Sequence, residues 1–190
     1  MTRKLIFLTH AEVAIDPEVP VPDWPLSEKG HARHAAFVET DVLDNVTALY
    51  ASAERKARDG ADHVAKAKGL SVQIVPPLGE NDRSATGFLP PNAFEEAADL
   101  FFAAPDSSMR GWETARAAQA RVVAATQTIT ALDQSAGDIL IVAHGAVGAL
   151  LRCHLKGIEI TRAEDQRPGG GCYFITDTDL QSPPTDWTRI

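Results

Sequence analysis

Two cysteines with no C-x-x-C spacing give this 190-residue chain neither a disulfide framework nor a four-thiolate metal site. Cys153 and Cys172 are expected to be reduced core residues of a cytoplasmic protein. Positive charge is also in short supply. Lys and Arg number 18 against 26 Asp and Glu, for a formal net charge of −8, and no basic run occurs. That excludes the clustered cations a nucleic-acid face or a polybasic membrane contact needs. Long hydrophobic runs are missing as well. The apolar stretch Leu5–Leu8 that follows Met1-Thr2-Arg3-Lys4 is too short for a signal-peptide core. Ile139–Leu151 is too short to span a bilayer and contains a histidine. No internal repeat and no low-complexity tail is present. The partners left are small molecules or other proteins, with no nucleic acid and no membrane, and nothing in the pattern specifies an oligomeric state. With 44% hydrophobic residues, the chain is expected to form a single domain over residues 1–190 with a sizeable core.

What the chain does contain is organised around Ile139-Leu140-Ile141-Val142-Ala143-His144-Gly145. A run of small and β-branched residues introduced by Gly137-Asp138 predicts a strand buried on both faces of a parallel sheet. It stops at His144, and Ala, Val and Leu at helical spacing follow Gly145. His144 is therefore expected at the carboxyl edge of a strand, above a helix amino terminus, where open α/β sheets bind ligands. Leu5-Ile6-Phe7-Leu8 repeats the arrangement and ends at Thr9-His10, so two histidines at two strand ends can face each other.

Between these units the pattern alternates. Ala11–Pro25, broken by Pro17, Pro20, Pro22 and Pro25, is predicted to be neither helix nor central strand. Ser27 reads as the N-cap of a helix whose apolar side is Ala32, Ala35, Ala36 and Phe37; His31 and His34 have a spacing that could bind a metal, but with no Cys or carboxylate arranged beside them they read as a solvated face. Val46–Ala51 predicts a strand ending at Ser52. The helix from about Ala53 to Lys68 opens with Glu54-Arg55-Lys56-Ala57-Arg58. Cations at a helix amino terminus oppose the dipole, typically by ~0.3–1 kcal/mol, so this cluster reads either as offset by an anion or as a charged exposed face that Glu54 and Asp59 partly neutralise. Leu70–Val75 alternates as a strand stopped by Pro76-Pro77. The polar loop Leu78–Gly87 is long enough to suggest an active-site rim. Helices are expected over about Asn92–Ala103 and Arg110–Leu132, with a late strand at Cys172–Thr176 after Gly169-Gly170-Gly171. That triplet is not a phosphate-binding P-loop, since no G-K-[ST] follows it.

The pieces Leu8-Thr9-His10-Ala11, Leu26-Ser27-Glu28-Lys29-Gly30, Tyr50-Ala51-Ser52-Ala53-Glu54-Arg55-Lys56-Ala57, Leu78-Gly79-Glu80 and Val142-Ala143-His144-Gly145, in this order, resemble the histidine phosphatase superfamily of phosphoglycerate-mutase-like proteins. The alternating pattern and the resemblance both imply a three-layer α/β/α sandwich with a mostly parallel sheet. The resemblance implies a phosphatase acting on a small phosphorylated molecule or a phosphoprotein, with no cofactor and no metal. His10 would be the nucleophile that becomes phosphohistidine, His144 a donor to the phosphoryl oxygens helped by the amide at Gly145, and Glu80 the general acid, with Asp82 in reserve. The chain departs from the family at two points. Thr9 stands where the family has arginine, and Lys56 occupies the phosphate position of the Ser52 turn. Arg55, Arg58 and Arg83 are then candidates for the missing cation.

Two other readings compete. Loss of the Thr9-position charge suits a degenerate member that binds a phosphorylated ligand or partner without turnover. Alternatively, His10, His144, Glu80 and Asp82 could ligate a hydrolytic metal.

Overall fold

The computed structural model describes residues 3–190. Six strands form one sheet: β1 (Lys4–Thr9), β2 (Val46–Ala51), β3 (Val72–Ile74), β4 (Asp138–Ala143), β5 (Cys172–Asp177) and β6 (Thr188–Arg189), in the order β3-β2-β4-β1-β5-β6. The four strands from β3 to β1 are parallel, whereas β5 runs antiparallel to β1, and β6 to β5. Five α-helices, α1 (Glu28–Phe37), α2 (Arg55–Lys68), α3 (Pro91–Ala103), α4 (Ala115–Leu132) and α5 (Gly145–Leu155), cover the two faces. This is the three-layer sandwich expected.

The period-two alternation of each strand sorts its side chains between two cores. Leu5 and Phe7 of β1 join Ile139 and Ile141 of β4 under Phe101 of α3, Val122 of α4 and Leu150 of α5. Ile6, Leu8, Leu140 and Val142 point the other way, onto Phe37 of α1 and Ala57, Ala61 and Val64 of α2. Both faces are buried, which is why these strands are continuous apolar runs.

The chain leaves β1, builds β2 and β3 outward, and returns to insert β4 between β2 and β1. That reversal sets the carboxyl ends of three adjacent strands side by side. Pairing of Thr9 with Ala143 and of Ala51 with Val142 puts the residues just beyond those ends level with one another.

Local signals account for most boundaries. Ser27 caps α1 by accepting a hydrogen bond from the Gly30 amide at 3.1 Å, and Gly69, at φ +67°, closes α2. Helix α4 starts at Ala115 rather than Arg110 because Arg110 and Gly111 lie at φ 50° and 84°, outside helical space. Thr114 then caps it by accepting from the Ala117 amide at 3.1 Å. The apolar side expected for α1 is corrected: Ala32, Ala35 and Ala36 are not buried, and the face turned inward is Gly30, His34 and Phe37. The proline-rich segment holds only a short 3-10 turn at Val21–Asp23 and one bridge between Val13 and Leu26. Both cysteines are free and buried. Among the described residues no helix is long and apolar enough to cross a membrane.

Candidate active site

His10 and His144 lie at the ends of adjacent parallel strands with ring centroids 5.2 Å apart, edge to face. His10 Nδ1 is 2.9 Å from the carbonyl of Ala11, an acceptor, so the proton sits on Nδ1 and Nε2 keeps a free lone pair. Burial, with His144 and the Lys56 ammonium opposing a further positive charge nearby, lowers the His10 pKa to about 3, leaving a neutral imidazole at physiological pH. The ring is held from behind. The amide of Ala11 donates to His34 Nε2 at 3.2 Å. The His10 carbonyl accepts from Gly171 at 2.7 Å. Gly170, at φ +60°, has no room for a side chain, since a Cβ there would stand 2.4 Å from that carbonyl. Arg33 binds the carbonyls of Gly169, Gly170 and Gly171, so the glycine triplet is a buttress for the first histidine.

His144 is the N-cap residue of α5 and fully buried. Its Nε2 is 2.8 Å from Ser52 Oγ and 3.5 Å from Glu54 Oε1, while its Nδ1 has no partner. The tautomer with hydrogen on Nε2 therefore avoids an orphaned buried donor. Burial lowers its pKa to about 4 despite the opposing Glu54.

Glu80 lies over the start of α5. Its Oε2 accepts from the Ala146 amide at 3.2 Å and its Oε1 from the Val147 amide at 3.1 Å. Burial nevertheless raises its pKa, with Glu54 adding repulsion against Arg83 and these amides. The loop carrying it is pinned by Arg121 of α4, which donates to the carbonyls of Pro77, Gly79 and Glu80 and pairs with Glu113 at 2.7 Å.

The candidate cations fall into three groups. Lys56 is buried and pairs with Glu54, with a second bond of 2.9 Å to the Val21 carbonyl. Arg83 lines the cavity with His10, stacks its guanidinium 4.9 Å from the Phe94 ring, and makes no ion pair among the described residues. Arg55 and Arg58 are exposed on α2 and do not line that cavity, because the first turn of the helix directs them outward.

Thr9 is likewise placed away from the cavity. Fully buried, its hydroxyl accepts from the Cys172 amide at 3.0 Å and lies against the Cys172 carbonyl and Gln166. It ties β1 to β5 and orients Gln166, which lines the cavity with Gly145 and Asp165. Asp82 is exposed and accepts from the Ser84 amide at 2.9 Å, so it caps a turn rather than meeting the histidines. Among the described residues no three His, Cys, Asp or Glu side chains are grouped to share a metal ion.

His34 corrects the expected solvated face. It is wholly buried, with its pKa lowered to about 3 by that burial and by His10 and His63. His31 turns to His63, with Nδ1 and Nε2 3.0 Å apart. Glu54, His34, Arg121 and Gln166 were not singled out from sequence as site residues. Only His34 carried a signal, since Gly30, His34 and Phe37 follow an i, i+4, i+7 spacing.

Two strand-end histidines, a Ser52 turn and a buried glutamate thus meet at one edge of the sheet. The sequence model of the histidine phosphatase superfamily (branch 1) matches residues 5–182, so the chain belongs to that superfamily. No curated protein matches it significantly. Among solved structures it is similar to a mycobacterial glucosyl-3-phosphoglycerate phosphatase, at 20% identity over 99% of this chain and 97% of that one, with a TM-score of 0.77. It is also similar to a phosphoserine phosphatase of Entamoeba histolytica solved with 3-phosphoglyceric acid, at 16% identity over 98% and 97% of the two chains and a TM-score of 0.74. YhfR of Bacillus stearothermophilus is 23% identical over 90% of this chain and 89% of its own, with a TM-score of 0.73. At these identities the likeness establishes the fold.

Proposed function

We propose that the protein is a phosphomonoesterase that works through a phosphohistidine. The observation that carries this reading is His10 itself: a partly buried imidazole with Nδ1 fixed by a backbone carbonyl, set edge to face with the fully buried His144 at the neighbouring strand end. In the proposed reaction His10 Nε2 attacks phosphorus, the bond to the leaving oxygen breaks, and protonated Glu80 gives that oxygen its proton. Glu80, now a carboxylate, takes a proton from water as water displaces His10 from phosphorus. His144 donates through Nε2–H to a phosphoryl oxygen, and Arg83, which lines the cavity with His10, supplies a guanidinium to it. A cavity of about 520 Å³, lined by Phe94, Phe101 and Trp112 together with Asp165, Gln166 and Arg167, receives the leaving group. Two free, buried thiols fit a cytoplasmic setting.

Metal-free protein is expected to hydrolyse an aryl phosphate and to be inhibited by vanadate. His10→Ala should abolish turnover and remove an acid-labile, base-stable label that brief incubation with labelled substrate leaves on the wild type. Label persisting in His10→Ala would move the nucleophile elsewhere. A second reading, phospho-ligand binding without turnover, is favoured by Lys56 being neutralised by Glu54 and by the position of Thr9 outside the cavity. Saturable binding of a phosphorylated ligand with no hydrolysis under any condition would select it.

A further inference from the structure

The pocket beside His144 already holds an anion, and it belongs to the chain. Glu54 lies between the end of β2 and α2, and donors of the kind a phosphoryl group would use converge on it. The Glu80 amide donates to Oε1 at 2.8 Å, His144 Nε2 stands 3.5 Å from the same oxygen, and the Lys56 ammonium binds Oε2. A carboxylate presents two oxygens in a plane, much as two oxygens of a phosphoryl group would. Burial opposes its charge, but His144 and Lys56 outweigh that and keep it ionised well below the ordinary carboxylate range. Lys56 is itself buried and, among the described residues, pairs with no second carboxylate, so its charge is spent on Glu54.

We propose that Glu54 is the resident occupant of the phosphoryl cradle, which an incoming phosphoryl group must displace, and that this makes it a specificity-determining residue. A small free anion such as inorganic phosphate offers nothing to offset the displacement. A phosphomonoester whose leaving group fills the adjoining aromatic-walled cavity does, because binding away from the reacting atoms can drive an unfavourable change at them. The pocket thus selects esters with a substantial, partly apolar leaving group and releases phosphate readily. This inference rests on the phosphatase reading for the identity of the ligand.

Inorganic phosphate binding, measured by calorimetry on the full chain, tests it without turnover. Wild type should bind phosphate only in the millimolar range or more weakly, on the order of 1 mM. Glu54→Gln, which keeps an acceptor for the Glu80 amide, and Glu54→Ala should bind it at least ~10-fold more tightly, the equivalent of about 1.4 kcal/mol. Adding Lys56→Ala should erase the gain, since the released ammonium is what provides it. Phosphate affinity unchanged or weakened in folded Glu54→Gln overturns the proposal. Should the variants not fold, a crystal structure of wild type with vanadate decides: the Glu54 carboxylate swung away from Lys56 supports displacement, and vanadate bound with that pair intact refutes it. The two readings fail separately. Tight phosphate binding by Glu54→Gln with no hydrolysis by either protein leaves the cradle and removes the phosphatase. Hydrolysis by wild type with no gain in Glu54→Gln leaves the phosphatase and removes the cradle.

Discussion

Glu80 stands under two opposing influences, and the balance decides whether it can serve as an acid. Two helix amides favour its anion, while burial and the nearby Glu54 carboxylate favour its acid form and prevail. An acid must be protonated to act, so turnover of esters with poor leaving groups should fall as pH rises through this raised pKa. The nucleophile sets no limit in that range, since His10 stays neutral down to about 3. Glu80→Gln should therefore remove the alkaline limb. It should slow alkyl phosphates by roughly 10²–10⁴-fold while costing aryl phosphates, whose leaving oxygen hardly needs a proton, only a few-fold. Profiles of kcat/KM against pH for one substrate of each kind check this, and equal losses on both would take the role away from Glu80. The roles of His10, His144 and Glu80 were suggested by motif order, whereas their partners were not. Glu54 read only as part of a charge cluster, because its contact with His144 joins residues ninety apart in the chain.

Helix α2 serves the site from its middle as well as through Lys56 in its first turn. Gly60 sits in its middle, where glycine normally costs about 0.5–1 kcal/mol relative to alanine. A Cβ at Gly60 would lie 2.7 Å from Cε1 of buried His34, the ring that holds the Ala11 amide and so the loop behind His10. Gly60→Ala should then destabilise by ~1–3 kcal/mol, contrary to helix propensity, and should lower kcat as well. Urea unfolding measures the first effect, and a stabilised Gly60→Ala would show that His34 moves freely. Strong local patterns made much of the architecture legible. The buried runs of β1 and β4, the Ser27 cap and the α5 start all combine hydrophobic period with punctuation. What stayed hidden depends on contacts distant in sequence. Strand β6 is two residues long and exists only through β5. Helix α4 begins late because of backbone angles at Arg110 and Gly111 that composition does not announce. The inward face of α1 was misassigned because alanines outnumber the single histidine that is buried.

For the molecule as a whole, gathering neutral histidines at one end of the sheet links stability to acid. His10, His34 and His144 are held neutral in the fold, with pKa values of about 3, 3 and 4, against 6.5 for the ordinary side chain. Below pH 6.5 the unfolded chain binds protons that the folded chain refuses, so stability falls as pH falls. Each such histidine alone would cost about 2 kcal/mol between pH 6.5 and 5. Two carboxyls act in the opposite sense. Asp165, raised to about 6 by burial, and Glu80, also raised, take up protons in the fold before they do in the unfolded chain. The three histidines outnumber these two carboxyls, so on balance unfolding takes up protons and stability declines with falling pH. Below about 4.5 the slope should steepen, because Glu12, Glu54 and Asp133 are held as anions to about 2 and their stabilisation is lost there. Urea denaturation at pH 7, 5.5 and 4.5 should show this decline, and His34→Gln, which cannot titrate, should flatten it by about one proton. A stability that stays level from pH 7 to 5 would mean that these rings reach water in the fold. The neutral imidazole on which the proposed chemistry depends would then be lost as well, so acid stability and the state of the nucleophile are read by one titration.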